Sequence, residues 1–230
     1  MGDPLNAVKI FNEKEVDELI FLDIQASKKG QAPNVEYLRD VASEAFMPVC
    51  YGGGLHSIEE ITSVIKAGVE KVSINSALAN DPDLLSRSAD KFGSSATVVS
   101  LDVKKDFWGK YKLVVKNASK TLQMPPVEFA QMAQEKGAGE VLLNAVDRDG
   151  MMNGLDLDLI KMIAASVNIP VIACGGAGNS RHLKEGLMAG ASAVAAGSMF
   201  VFQGKHRAVL ISYLSPGEIQ EMVAFSSNAC

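Results

Sequence analysis

The sequence predicts an α/β chain, a (β/α)8 barrel of the TIM type built from two (βα)4 half-barrels, with the first strand missing. Two observations predict it. Short β-branched apolar runs alternate with longer amphipathic segments, the pattern of βα units around a parallel sheet. A set of residues also recurs at one fixed offset: Glu18 with Glu140, Pro48 with Pro170, Gly53-Gly54 with Gly175-Gly176, Ala67-Gly68 with Ala189-Gly190 and Ser76 with Ser198, every pair 122 positions apart. Glycine and proline recur in any α/β protein, but one ungapped register shared by all five marks a duplicated half.

In chain order, Pro4–Lys14 reads as the first helix, with no strand ahead of it. Seven strands follow, at Leu19–Ile24, Val49–Tyr51, Val72–Ile74, Thr97–Val103, Val141–Val146, Val171–Ala173 and Ala193–Ala196. Between them Asn34–Glu44, Ile58–Ala67, Leu84–Phe92, Val127–Lys136, Leu157–Ser166 and Arg181–Ala189 carry apolar residues at three- and four-residue spacing, the period of a half-buried helix. Asp81-Pro82 and Gly178-Asn179-Ser180 supply helix-start chemistry. Thr97–Val103 opens the second half, and its counterpart would fall before Met1, so seven strands are expected to leave two sheet edges open. Residues 1–214 read as one barrel domain and 215–230 as a polar C-terminal tail.

Composition narrows the function. A net charge of −5 is spread along the chain, with no basic cluster longer than Lys28-Lys29 or Lys104-Lys105, which gives nucleic acid nothing to bind. No apolar run reaches the length of a membrane span and Met1-Gly2-Asp3-Pro4 lacks a signal-peptide plan, so a cytoplasmic protein without a membrane partner is expected. Cys50, Cys174 and Cys230 have neither disulfide nor zinc spacing, and the two in strands read as small core residues.

Barrel chemistry sits where strands end. Gly52-Gly53-Gly54-Leu55-His56-Ser57 follows one strand and Asn75-Ser76-Ala77 the next; their repeat partners are Gly175-Gly176-Ala177-Gly178 and Gly197-Ser198-Met199. Glycine lets backbone amides approach phosphate oxygens, and Asn75, Ser76 and Ser198 add side-chain donors. Two such sets at related strand ends suggest a ligand with phosphates at opposite edges of one mouth; the plainer alternative is tight strand-to-helix turns. Asp23 and Asp102 end apolar strands, and Asp147, Asp149 and Gly150 extend a rim of acids suited to binding and proton transfer. Any one of these aspartates could instead cap a helix or shape a turn. A metal held by Asp23, Asp102 and Asp147 is disfavoured because His56, His182 and His206 are scattered, and neither metal nor cofactor is expected.

The runs Asp17-Glu18-Leu19-Ile20-Phe21-Leu22-Asp23-Ile24, Gly52-Gly53-Gly54, Glu70-Lys71-Val72-Ser73-Ile74-Asn75, Gly137-Ala138-Gly139-Glu140, Val146-Asp147-Arg148-Asp149-Gly150 and Gly175-Gly176-Ala177-Gly178 resemble the cyclase subunit of imidazole glycerol phosphate synthase, from Gly2 to about Phe202. The resemblance implies an ammonia-dependent lyase and cyclase of histidine biosynthesis, partnered by a glutaminase subunit and acting on a bis-phosphorylated ribulosyl-aminoimidazole nucleotide. It assigns Asp102 as one of two catalytic aspartates, the general acid, and places the other on the missing strand, so that this chain alone is expected to be a poor cyclase. It also makes Glu18, Lys71 and Glu140 three members of a charged gate that admits ammonia, a feature without a role in the related sugar-phosphate isomerase of histidine synthesis. Gly2 to Asn12, Cys50-Tyr51-Gly52-Gly53-Gly54 and Phe200 to Ile211 resemble a paralogous branch linked to acetamidino modification of surface-polysaccharide sugars (lipopolysaccharide biosynthesis), where the barrel passes ammonia to a sugar amidotransferase.

Overall fold

A computed structural model describes residues 3–115, 118–204 and 206–227. Gly2, Lys205 and Cys230, which belong to sequence features noted above, lie outside the described residues. Helix α1 (Pro4–Glu13) begins where Asp3 caps it and Pro4 supplies a preset first turn. Strand β1 (Leu19–Leu22) stops short of the predicted Ile24, because Asp23 accepts the Ala26 amide at 2.8 Å and starts α2 (Ile24–Lys29). The chain continues through α3 (Val35–Glu44), β2 (Val49–Gly52), α4 (Ile58–Lys66), β3 (Lys71–Ile74) and α5 (Leu84–Phe92). A capping box between Ser57 and Glu60 starts α4, and Asp81 pairs with Arg87 beside the first turn of α5.

The second half opens with β4 (Thr97–Lys105), which runs past its predicted end into an antiparallel hairpin of β5 (Tyr111–Val115) and β6 (Lys120–Thr121). This hairpin was not anticipated, since a reading tuned to parallel βα units passes over strands that return directly. Its turn is fixed by the Asp106 carboxylate, which accepts the amides of Trp108 and Lys110 at 2.9 Å each. Phe107 and Trp108 stand at the tip, 94% and 80% exposed, with rings edge to face at 5.4 Å. Next come α6 (Pro126–Glu135), β7 (Glu140–Ala145), α7 (Leu157–Ala164), β8 (Val171–Cys174), α8 (Ser180–Met188) and β9 (Ala193–Val194). The chain ends in α9 (Ser198–Val201), a small hairpin of β10 (Phe202–Gln203) and β11 (Ala208–Val209), and α10 (Pro216–Ser227). The segment expected as a polar tail from Ser215 thus forms a helix against α8, where Lys184 pairs with Glu221 at 2.7 Å and Met222 is buried.

Seven parallel strands make one curled sheet in the order β1-β2-β3-β4-β7-β8-β9, and among the described residues β1 and β9 do not pair with each other. Side chains alternate across it. Tyr51, Val72, Ile74, Val99, Leu101, Val103, Leu143 and Ala173 face outward into the main core beneath the helices. Cys50, Val98, Leu142 and Ile172 form a second cluster, joined by Ile20, Cys174 and Ala195, inside the curl of the sheet.

Leu143, 1% exposed at the centre of the outer core, sets a test of this packing. Leu143→Ala is expected to cost about 2–5 kcal/mol of unfolding free energy, measured by urea denaturation followed by far-ultraviolet circular dichroism.

Candidate active site and ammonia gate

The alternation that builds the inner cluster also sorts the charges. On β7, Glu140, Leu142 and Asn144 share the inner face; on β4, Val98, Ser100 and Asp102 do; Lys71 and Ser73 do so on β3. The strand starts therefore bring Glu18, Lys71 and Glu140 together at one mouth. The Lys71 ammonium lies 2.9 Å from Glu18 and 2.8 Å from Glu140, and all three side chains are mostly buried. Burial pulls the Lys71 pKa down, but the hydrogen bonds its ammonium donates to Glu140 and Glu18 outweigh it, and the net shift is upward. The second Glu18 oxygen, Oε1, is buried without a donor among the described residues. Directly inside stands Cys50, in register with Lys71, its thiol pushed up to about 12 chiefly by burial.

At the opposite mouth Asp102 is clasped by two amides. Asn144 donates to its Oδ1 at 3.0 Å, and Asn75 donates to its Oδ2 at 3.2 Å and to the Ser100 carbonyl at 3.0 Å. Burial raises the Asp102 pKa, the Asn144 hydrogen bond opposes the rise, and the Asp149 carboxylate adds to it. The result is a carboxyl that keeps its proton to higher pH than an ordinary aspartate, poised to donate it. Asn144 was not singled out from sequence; an amide in the apolar run Val141–Val146, at inward parity with Glu140, was the available signal.

The glycine loops close round the same mouth. Gly53 has φ +130°, and a Cβ there would lie 2.4 Å from the Asp23 carbonyl; Gly176 has φ +106°, and its Cβ would lie 2.3 Å from the Gly154 carbonyl. Only glycine fits where loop packs on loop so closely. Further along the first loop, the His56 and Ser57 amides are already taken by Glu60 at 2.6 and 3.0 Å, which leaves the glycines as the free part of that loop. The Gly150 and Gly176 amides donate to no acceptor among the described residues. A Cβ on Gly150 would stand 3.8 Å from the Ser198 hydroxyl, so Gly150, Gly197 and Ser198 meet at one edge of the rim, opposite the Gly53, Gly54, Asn75 and Ser76 edge.

Three sequence candidates are otherwise engaged. Asp23 caps α2, and Asn75 serves Asp102 directly. Asp147 accepts the Lys105 amide at 2.6 Å and faces a separate cavity of about 210 Å³ behind the rim. That cavity is organised by buried Asp156, which takes Tyr111 at 2.8 Å and Lys105 at 3.2 Å and so fastens the β5–β6 hairpin to α7. Among the described residues no group of three His, Cys, Asp or Glu side chains is placed to hold a metal ion, and no helix is long and apolar enough to cross a membrane.

A family model described as "Histidine biosynthesis protein" matches residues 1–207. The chain is 53% identical over 214 residues to the "Putative imidazole glycerol phosphate synthase subunit hisF2" of Pseudomonas aeruginosa, covering 93% of this chain and 85% of that protein. It is 45% identical over 223 residues to the "Putative imidazole glycerol phosphate synthase subunit hisF3" of Vibrio vulnificus, covering 95% and 85%. With the "Imidazole glycerol phosphate synthase subunit HisF" of Chlorobaculum tepidum it shares 43% over 203 residues, 88% of this chain and 80% of the relative. With matches of this length and identity, the chain belongs to the histidine biosynthesis protein family, among the HisF subunits of imidazole glycerol phosphate synthase.

Proposed function

We propose that the chain is the ammonia-using cyclase subunit of an imidazole glycerol phosphate synthase. Docked to a glutaminase subunit, it converts a bis-phosphorylated ribulosyl-aminoimidazole nucleotide to imidazole glycerol phosphate and an aminoimidazole carboxamide ribonucleotide. One observation carries this reading: the inner face of a single sheet holds the Lys71 gate at its strand starts and Asp102, ringed by glycine loops, at its strand ends. Neutral ammonia can cross the apolar stretch of Val98, Leu142 and Ile172 between them, whereas ammonium, facing the fixed Lys71 cation and then a dry interior, is excluded. The two glycine loops, each with the small polar segment after the following strand, grip the two phosphates, and Asp102 supplies a proton to the reacting nucleotide. Beside the start of β1, Asn12, Glu15, Asp17, Phe46 and Met47 line an open hollow of about 440 Å³ in which Phe46 stays exposed, a fitting seat for the glutaminase.

A second reading is an ammonia conduit for sugar modification. It is favoured by the resemblance of Cys50-Tyr51-Gly52-Gly53-Gly54 and Phe200 to Ile211 to the paralogous branch. Turnover of the nucleotide with ammonium salt separates the two, measured on the chain as it stands and on a form carrying the family's first strand ahead of Pro4. Product formation supports the cyclase; nucleotide binding without product in both forms supports the conduit.

Two predictions follow from the site. Asp102→Asn is expected to abolish cyclase turnover while making the protein more stable near neutral pH. The folded state raises the pKa of Asp102, so the stability it contributes is full below the ordinary aspartate pKa and is lost as pH rises through the folded value; asparagine removes that loss. The gain should vanish in acid, and thermal melts across pH read it. At the other mouth, Lys71→Met should depress glutamine-driven turnover at least tenfold more than ammonium-driven turnover in the complex with the glutaminase, because removing the cation leaves Glu18 and Glu140 repelling across the inlet. Equal losses with both nitrogen sources would remove the gate from the mechanism.

A further inference from the structure

Arg207 sits in the turn between β10 and β11 with a left-handed backbone, φ +50°, its amide donating to the Gly204 carbonyl at 3.1 Å. The pairing of Phe202 with Val209 and Gln203 with Ala208 fixes that turn beside the rim. From there the guanidinium reaches back across the mouth. Its Nη2 donates to the Gly150 carbonyl, and its central carbon stands 5.2 Å from the centre of the Phe202 ring. Among the described residues no carboxylate lies within ion-pair distance of it. A guanidinium has five N–H donors in a planar fork, and the carbonyl occupies one. An arginine tethered by a carbonyl and a ring, with unspent donors and an uncompensated charge, is a receptor for an anion.

The place it occupies says which anion. Gly150 is the residue whose free amide and close approach to the Ser198 hydroxyl define one corner of the second glycine-lined edge. Of the other charges at that edge, Asp149 is an acid and Arg148 is tied to the Gly154 carbonyl and to Asp156, which leaves Arg207 without an ion-pair partner among the described residues. The first edge is built differently: past Ser76 the chain runs through a short 3-10 turn into α5, whose Arg87 is bound to Asp81, and the lysines on that side, Lys28 and Lys29, end the helix α2 that packs on Gly54.

We infer that Arg207 is a phosphate-binding residue of the second edge, leaving the Gly150 carbonyl to take two oxygens of a phosphate monoester dianion, and that it makes this edge the tighter of the two. A substrate with a phosphate at each end is then anchored first, and in one orientation, by the end that meets Arg207. The inference rests on the reading of Gly150, Gly176, Gly197 and Ser198 as a phosphate site.

The test is calorimetric titration of inorganic phosphate into the full chain carrying Ser76→Asp, which closes the first edge by charge. Against this background Arg207→Gln should weaken phosphate binding about 10- to 100-fold, with Arg207→Lys intermediate. The loss should grow between pH 5.5 and 7.5, about where phosphate takes its second charge. Should Arg207→Gln stay within twofold of the parent, or lose affinity equally at both pH values, Arg207 is a loop staple and the inference fails. Ser198→Asp, added to the Ser76→Asp form, separates that failure from a failure of the site itself: phosphate binding that survives in the double variant refutes the second edge as a phosphate site.

Discussion

The period of two along each strand is the constraint on which the rest of the molecule depends. Because β7 turns Glu140, Leu142 and Asn144 to the same side, a single strand contributes to the proposed gate at Lys71, to the apolar middle and to the clasp on the acid. At about 3.3 Å per residue the gate and the acid stand roughly 13 Å apart along it. A slip of one residue in the pairing of β4 with β7 would send Asn144 into the outer core and leave Asp102 without its partner. Fidelity of register is thus the structural condition for the proposed chemistry, and the apolar side chains of Val99, Leu101, Val141 and Leu143 enforce it, since an amide turned in among them would have no partner.

Asp102 shows what such a position costs. It is buried beside Asp149, and two amides offset only part of the penalty. Asn144 keeps one unpartnered oxygen, Oδ1, in the same pocket. A half-turn of that amide would present the oxygen to a protonated Asp102, so the clasp suits both charge states of the acid. A site that accommodates both states is what a group passing a proton requires, and it is stabilised by the surrounding sheet rather than by its own contacts.

Much of this was legible in the chain. The 122-residue repeat located both glycine edges, and the inward parity of Glu18, Lys71 and Glu140 agrees with their meeting at one mouth. What escaped was what repeats and periods do not encode. Asp23 looked like a strand end facing the rim, but an aspartate three residues ahead of a free amide caps a helix, and α2 was too short to carry a period of its own. Asp147 shared a run with Asp149, yet the return of β5 alongside β4 drew it outward to the Lys105 amide. Arg207 lies in a segment with no counterpart in the first half, where comparison between halves is silent.

The β5–β6 hairpin has an optical corollary. Trp108 is the sole indole of the chain, and it stands at the tip of that hairpin, in water rather than in the core. An indole so exposed is expected to emit in the native protein much as it does in a denatured one, so that intrinsic luminescence would follow contacts made at the tip better than melting of the barrel.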